Sequence, residues 1–232
     1  MADQLDNPVW HALTGHQAHL ASGTAAALRF DPTVALFVGF PDPAGIGVAA
    51  ITDMLAPGEM ALLFNAAPVD IPADCSVLYT GEAAQMVCNR LAPLDNTTTA
   101  AYDIITLGDN DVADMLALVK LTEPGPFFER THVLGDYIGI RHGDQLVAMA
   151  GHRMHVGDAT EISAVCTHPD ARGRGYAAAL VQHLASRLIA SGQRPFLHVV
   201  VDNTAAIRVY ERLGFSHRIT ITAQVLRVGK PS

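Results

Sequence analysis

The sequence predicts an α/β fold, because stretches with the apolar spacing of helices alternate with short β-branched stretches. Residues 161–167 form a strand-like run that Pro169 ends, and an apolar helical stripe begins after two glycines. Residues 195–201 are a second β-branched run that precedes another helical pattern, and alternation over 219–225 predicts a last strand. Because strands repeat every two residues and helices about every 3.6, the two patterns can be told apart.

The first hundred residues alternate in the same way, with weaker signals. Asp42 followed by Pro43 is a good helix start, since aspartate caps and proline suits the first helical position. Turn-forming residues concentrate at 91–99, so we predict an N-terminal region over 1–97 and a second domain over 98–232. The elements predicted before this boundary are two short helices before residue 30, strands at 24–30, 34–40, 59–65 and 75–79, and a helix from 42 to about 55.

The second half begins with a strand, a helix and a hairpin. Residues 101–107 predict a strand, and the acidic residues at 109–111 cap a helix that runs to about residue 121. A rigid loop with prolines and two phenylalanines follows at 123–128. The turn at Gly143 and Asp144 then joins two strands in a hairpin, at 135–141 and 145–153.

The order strand, glycine turn, helix within 161–192 predicts an anion site. Gly173 and Gly175 free the backbone just before the helix, so several unpaired N–H groups and the positive end of the helix dipole point to one place. Arg172 and Arg174 add positive charge there. Such an arrangement suits a pyrophosphate.

Two known nucleotide-binding motifs bear comparison with this site. A P-loop needs Gly-Lys-Ser/Thr after its glycines, and the sequence has no such run. Gly173, Gly175 and Ala178 do fit a dinucleotide fingerprint, with Asp202 as the acid at the end of the next strand. Against it, the loop at 167–172 separates the strand from the glycines, and too few residues follow Asp202 to complete a doubly wound sheet.

Composition and charge narrow the functional class. Half of the 232 residues are apolar, and no run reaches the roughly 18 apolar residues of a membrane span. The net charge of −8 argues against a nucleic-acid partner. Residues 1–116 contain 2 basic and 14 acidic side chains, whereas residues 117–232 contain 13 basic and 9 acidic ones. The basic half contains the anion site, as an anionic cofactor requires, although ordinary surface solvation accounts for the same distribution.

Cysteine and histidine usage indicates neither disulfides nor a metal. The cysteines are odd in number and show no paired spacing, and the acidic start is wrong for a secretory or transit peptide, so a reducing cytoplasm is predicted. The histidine pairs lack the acidic or cysteine partners of a zinc site, and no metal is predicted: His16 and His19, His152 and His155.

Two motifs carry a resemblance to the GNAT superfamily of N-acetyltransferases. Residues 172–177 (RGRGYA) resemble its R/Q-x-x-G-x-G/A motif, whose amides grip the pyrophosphate of coenzyme A in that family. Residues 203–215 resemble the second signature, N-x-x-A-x-x-x-Y-x-x-x-G-F, with Asn203, Ala206 and Tyr210 at the defined positions. The resemblance covers about 102–228 and has both motifs in the family's order.

This resemblance implies a GNAT fold, in which a mixed, mostly antiparallel central sheet is flanked by helices. In this chain, a smaller α/β half at the N-terminus is expected to precede that fold. The first hundred residues look like the degenerate half found in proteins similar to the glycine N-acyltransferase branch. In the family a pair of strands splays apart and frees backbone N–H groups for acetyl-CoA, which is the implied cofactor. The cofactor-binding residues implied in this way are Val165, Cys166, Thr167, Arg172, Gly173, Arg174, Gly175, Tyr176, Ala177, Asn203 and Ala206.

Acetyl transfer from a thioester to an amine sets three chemical demands. The amine must lose a proton, because an alkylammonium has a pKa near 10. The oxyanion needs a fixed donor, for which the resemblance implies the N–H of Val165, with that of Thr167 holding the pantetheine. The departing thiolate benefits from a proton, which by resemblance Tyr210 supplies, although a core tyrosine also fits its helix face.

Glu161 is the candidate base. Strand alternation places it on the face of Ser163, Val165 and Thr167, near the expected thioester, but an acid paired with an arginine explains it equally well. Alternation also turns Cys166 away from that face, which argues against a cysteine nucleophile with an acyl-enzyme.

The candidate site also includes two phenylalanines as substrate-binding residues and an asparagine with two possible functions. In the resembled family the loop after the first helix covers the acceptor, so Phe127 and Phe128 are the candidate substrate-binding residues. Asn203 suits a helix N-cap as well as a cofactor contact.

The sequence therefore predicts an acetyl-CoA-dependent N-acetyltransferase that acts on a primary amine of a small molecule, such as an amino acid, by direct attack in a ternary complex. The alternative is a catalytically silent CoA-binding regulatory or interaction module. O-acylation and a homodimer are left open, and no nucleic-acid or membrane partner is predicted.

Overall fold

The computed structural model describes residues 3–42, 49–93 and 102–229, and its main feature is an eight-stranded sheet. The strands are β1 (Ala21–Gly23), β2 (Leu28–Phe30), β3 (Val38–Gly39), β4 (Met60–Asn65), β5 (Cys75–Cys88), β6 (Ile104–Leu107), β7 (Tyr137–His142), β8 (Gln145–Val156), β9 (Ala159–Thr167), β10 (Arg194–Val200) and β11 (Phe215–Val228). The α-helices are α1 (Pro8–Thr14), α2 (Ala50–Met54), α3 (Val112–Thr122), α4 (Tyr176–Ala190) and α5 (Thr204–Arg212). Short 3₁₀ turns lie at Gln4–Asp6, Ala18–Leu20, Asp109–Asp111, Thr131–Leu134 and Pro169–Ala171.

The large sheet has the order β4-β11-β5-β10-β9-β8-β7-β6. Its neighbours pair antiparallel except for β9 and β10, which run parallel because α4 carries the chain back across the sheet. The predicted mixed, mostly antiparallel sheet flanked by helices is confirmed. A smaller antiparallel sheet, β1-β2-β3, lies in the N-terminal half.

Helices cover both faces of the large sheet. The apolar stripe of α4 buries Leu180, Leu184 and Leu188 on one face, together with Tyr210 of α5. On the opposite face, α3 packs against β8 and β9, and α1 packs against β8. Each fully buried leucine contributes roughly 1.5–3 kcal/mol, so these stripes hold the helix ends in place relative to the strands.

The N-terminal half joins the same sheet as the C-terminal half. β4 pairs with β11, and β5 lies between β11 and β10. The predicted boundary at residues 97 and 98 lies outside the described residues, and the two-domain division stays a prediction.

Several predicted elements differ from the structure in length. Residues 24–27 turn rather than extend, since the Thr24 N–H donates to the Ala27 carbonyl at 2.8 Å. The strand predicted at 34–40 is reduced to β3, because Val34 closes a turn on Asp31. β5 continues to Cys88, far beyond the predicted end, because two partner strands hold its second half. The start of the helix predicted from Asp42 falls at 43–48, outside the described residues.

Candidate active site

The site begins where β9 and β10 separate. Their parallel pairing covers Ala159 to Glu161 on β9 and ends at the pair formed by Glu161 and Phe196, although both strands continue. From residue 162 onwards, the β10 side of β9 therefore faces no partner strand within the described residues. The splay that the resemblance implied is present at this point of the sheet.

A β-bulge at Ala164 shapes the freed part of β9. Ser163 pairs with Gly151 and Cys166 with Met149, so three steps on β9 oppose two on β8. Ala164 takes a left-handed conformation with φ 53°, which is uncommon for a residue with a side chain. An extra residue of this kind bends the strand and increases its local twist.

The bulge also reverses the alternation of side chains, and two predictions that rested on alternation are wrong. Val165 packs in the core cluster of α4 together with Ile162, so it does not share the face of Glu161. Cys166 lies with Ala164 and Met149 near Tyr137, on the face opposite to Val165. Cys166 is therefore on the same face as Glu161, and not turned away from it as alternation predicted. One inserted residue moves every later side chain to the other face of a strand.

A cavity of about 770 Å³ lies at this separation. Residues of β9, β10 and α5 line one part of it, and residues 123–126 line another. The N-terminal strands supply more of the wall, through Leu62, Phe64, Tyr79 and Glu82. The cavity is thus built from both halves of the chain.

The glycine turn has the backbone geometry that its sequence predicts. Gly173 and Gly175 have φ values of 77° and 81°, which side chains rarely permit, and α4 begins directly after Gly175. Arg172 and Arg174 are exposed, and Arg172 also lines the cavity. The first N–H groups of α4 and the two arginines form a cradle whose free donors and positive charge suit an anion such as a pyrophosphate.

Contacts of two tyrosines and a histidine hold the start of α4 in place. The hydroxyl of Tyr176 lies 2.6 Å from Nε2 of His142, and its ring meets that of Tyr102 edge to face at 4.8 Å. The Tyr102 hydroxyl donates to the Arg174 carbonyl. The buried side chain of Tyr176 therefore packs beneath the glycine turn, on its core side. Ala177, in the first turn of the helix, is half-buried.

An orphaned polar atom lies on the freed part of β9. Oγ1 of Thr167 is buried and has no hydrogen-bond partner among the described residues. Thr167 lines the cavity together with Val165 and Cys166. A ligand with amide groups in the opening between β9 and β10 would satisfy this atom and the free backbone groups beside it, so the residues present fit a pantetheine arm.

Asn203 and Tyr210 stand on the other side of the opening. Oδ1 of Asn203 accepts from the Ala206 N–H at 3.2 Å, which confirms the predicted N-cap of α5. Tyr210 is buried in the α4 and α5 core and lines the cavity, and burial raises the pKa of its hydroxyl to about 12. The hydroxyl is protonated at neutral pH, as an ordinary tyrosine hydroxyl is, and the raised pKa makes it a weaker acid than an exposed tyrosine.

Glu161 is completely buried at the closed end of the strand pair. Its Oε2 accepts from Nε of Arg153 at 2.8 Å, and its Oε1 lies 2.6 Å from Nδ1 of His198 and also accepts from Nη2 of Arg153. Burial by itself would raise the pKa of this carboxyl, but the charges and hydrogen bonds of Arg153 and His198 outweigh it and lower the pKa to about 2. The pairing with an arginine that the sequence left open is present.

This polar cluster extends to the N-terminal segment. Nε2 of His198 lies 3.1 Å from Nε2 of Gln85, which donates to the Leu5 carbonyl at 2.9 Å. Arg218 donates to Oε1 of Gln85 at 2.8 Å and to Asp6. The buried charges are therefore tied, through hydrogen bonds, to a segment more than a hundred residues away in sequence.

Cys166 does not have the environment of a nucleophile. Burial raises the pKa of its thiol to about 11, so little thiolate exists at neutral pH. The described part of the chain also contains no group of three or more histidine, cysteine and acidic side chains that could hold a metal ion.

The two candidate substrate residues lie beside the cavity rather than in its wall. Phe127 is buried against Tyr137, with ring centres 5.6 Å apart, and lines a small adjoining cavity. The Phe128 N–H donates to Oγ1 of Thr131 at 2.7 Å. The preceding residues of the same loop, Pro124 to Pro126, do line the main cavity.

Sequence reasoning missed Arg153, His198 and the wall residues of the N-terminal half. A charged or polar residue inside an otherwise apolar strand, as at Arg153 and His198, was the available signal. It pointed to buried pairing, but it did not indicate which strands would meet.

The comparisons with known proteins agree with this architecture. Residues 137–225 match the family model described as FR47-like protein. A GNAT-family protein of Novosphingobium aromaticivorans is 35% identical over the whole length of both chains, with a TM-score of 0.89. A GCN5-related N-acetyltransferase of Kribbella flavida has the same fold, with a TM-score of 0.65 at 16% identity over 96% of this chain and 95% of that chain.

A shorter match is found among sequence relatives. An acetyltransferase of Yersinia enterocolitica is 43% identical over 75 residues, which are 32% of this chain and 50% of that protein. The match therefore spans about half the length of that relative. No helix in the described ranges is both long and apolar enough to cross a membrane.

Proposed function

Since the chain belongs to the GNAT family, we propose that it transfers an acetyl group from acetyl-CoA to a primary amine of a small molecule, by direct attack in a ternary complex. The observation that carries the proposal is the separation of β9 and β10 over a cavity that reaches the glycine turn. Assignment to the glycine N-acyltransferase branch, a cytoplasmic location and a homodimer stay predictions.

The residues that would hold acetyl-CoA lie along one path. The backbone N–H groups at 173–177 and the charges of Arg172 and Arg174 suit the pyrophosphate. The free edge of β9 at Val165 and Thr167 suits the pantetheine, and Asn203 lines the opposite wall. Acetyl-CoA would supply the activated acetyl thioester.

Tyr210 is proposed to protonate the departing sulfur. It lines the cavity from α5, and its hydroxyl is protonated at neutral pH. The N–H of Val165, on the bulged part of β9, is proposed as the donor to the oxyanion. Both groups are held by secondary structure before any ligand arrives, which limits the reorganisation that the reaction requires.

We propose a positioning role for Glu161 in place of the base role that the sequence suggested. A carboxyl with a pKa of about 2 binds protons weakly, and its oxygens already accept from Arg153 and face His198. The proton of the amine would instead leave through water in the cavity, whose wall includes the exposed acids Glu82 and Glu123.

The test is thiol release from acetyl-CoA, measured with a thiol reagent, across a panel of small primary amines. Amine-dependent release with formation of the N-acetyl product is expected. Micromolar CoA binding without release by any amine would contradict the proposal and favour a silent CoA-binding module. Product analysis also separates N-acylation from O-acylation.

The role of Tyr210 is tested by Tyr210→Phe. Because only the acid is removed, kcat should fall by about a hundredfold or more. CoA affinity, measured by calorimetry, should stay the same, since the ring remains in the core. An unchanged kcat would remove Tyr210 from the mechanism.

A further inference from the structure

The Arg153 side chain is held in a fixed orientation beside the cavity. Its Nε and Nη2 both donate to Glu161, and its guanidinium carbon lies 4.9 Å from the ring centre of Phe37 and 5.6 Å from that of Phe64. Two hydrogen bonds and two aromatic rings therefore hold the guanidinium in one orientation. Nη1 has no protein partner among the described residues, and Arg153 lines the cavity.

The cluster offers positive charge to a ligand and hides its negative charge. The Glu161 side chain is 0% exposed, whereas that of Arg153 is 14% exposed. An incoming ammonium group cannot reach the carboxylate and would meet the guanidinium instead. An incoming carboxylate would instead accept a hydrogen bond from the positively charged guanidinium, which is already fixed in position.

Arg153 also lies close to the bulge. It lines a small adjoining cavity together with Ser163 and Ala164, directly before Val165, whose N–H is the proposed donor to the oxyanion. A group bound at Nη1 is therefore near the reacting carbonyl. An amine only a bond or two from that group would be brought to the opening between β9 and β10.

We propose that Arg153 selects acceptors that carry a carboxylate next to the amine, the α-amino acids being the simplest, and that Nη1 donates to this carboxylate. The inference rests on the proposed acetyl transfer and names the substrate class of that same site. Arg153 is a specificity-determining residue in this scheme, and Glu161 holds it in place.

The experiment compares matched acceptors on the native protein. Glycine, alanine, leucine and phenylalanine are each assayed against the corresponding primary amide and decarboxylated amine, by thiol release from acetyl-CoA. One hydrogen bond between charged groups predicts a preference of roughly ten- to a hundredfold in kcat/KM for the acid. The reactive amine concentration is matched by pH, because amides and acids differ in the pKa of the amine.

A double variant removes the recognising charge without leaving a buried ion. Arg153→Met with Glu161→Gln should abolish the preference for the acid, mainly by raising the KM of the acids, and the readout is the ratio of kcat/KM between each acid and its amide. Arg187→Gln is the matched control, since Arg187 forms an exposed pair with Asp136 at 3.3 Å and should leave the preference intact. Should the double variant fail to fold, the native comparison still decides.

The outcomes separate the two proposals. Equal kcat/KM for acids, amides and amines would overturn the role of Arg153 while acetyl transfer stands. The same conclusion follows if the double variant keeps the preference. If no amine of any class causes thiol release, the acetyltransferase function itself is overturned, and the inference falls with it.

Discussion

The two ends of the site are built in opposite ways. At the cradle, the proposed cofactor contacts are the backbone N–H groups of residues 173–177, and Gly173 and Gly175 permit the conformation. At the closed end, the largely buried side chains of Arg153, Glu161 and His198 meet from three strands. The first end depends on main-chain geometry and the second on paired charges in a low-dielectric interior. A change of charge at the cradle should therefore alter the free energy of unfolding little, whereas a change of charge in the buried cluster should lower it strongly.

The largest expected effect is the loss of stability in Glu161→Gln. The neutral amide would leave the charged Arg153 side chain, which is only 14% exposed, without its counterion, and breaking a buried pair costs about 3–5 kcal/mol. Urea unfolding of the native protein and the variant measures the difference. Arg172→Gln, at the exposed cradle, is the contrasting variant and should change the free energy of unfolding by about 0.5 kcal/mol or less. Equal losses of unfolding free energy in the two variants would contradict the proposed difference between the cradle and the buried cluster.

The same carboxylate should make stability depend on acid pH. The pKa of Glu161 is about 2 in the folded chain, below the ordinary glutamate value of 4.5. Its stabilisation is therefore complete above about pH 4.5 and is lost as the pH falls towards 2. Unfolding free energies between these values should fall more steeply for the native protein than for Glu161→Gln. Parallel curves would show that other carboxyls dominate acid unfolding.

A smaller effect is expected from Gly173→Ala in the cradle. A Cβ at Gly173 would meet no atom within 4 Å, so the change strains only the backbone, by about 1–2 kcal/mol. CoA affinity should fall about tenfold, as for the loss of one hydrogen bond to a charged group. Gly58→Ala is a matched control, because Gly58 also has positive φ and open space but lies away from the site. It should lose similar stability without losing CoA affinity, and equal losses of affinity would count against the cradle.

The cradle and the core of the fold could be predicted because their signals are local. Gly173, Gly175, the stripe of α4 and the cap at Asn203 each depend on neighbours within a few residues, and hydrogen bonds within one turn enforce them. The same holds for β7 and β8, whose hairpin turn is short. Element ends were less predictable, as in β5, whose second half is held by strands distant in the chain.

What the sequence by itself determined was the order of elements and the position of the glycine turn that is proposed to bind an anion. Only the tertiary structure decided that the bulge at Ala164 reverses the faces of β9, that Arg153 and His198 converge on Glu161, and that β4 and β5 complete the cavity. The physical reason is register: a single unpaired residue shifts every later side chain, and its position depends on the partner strand as much as on the strand itself.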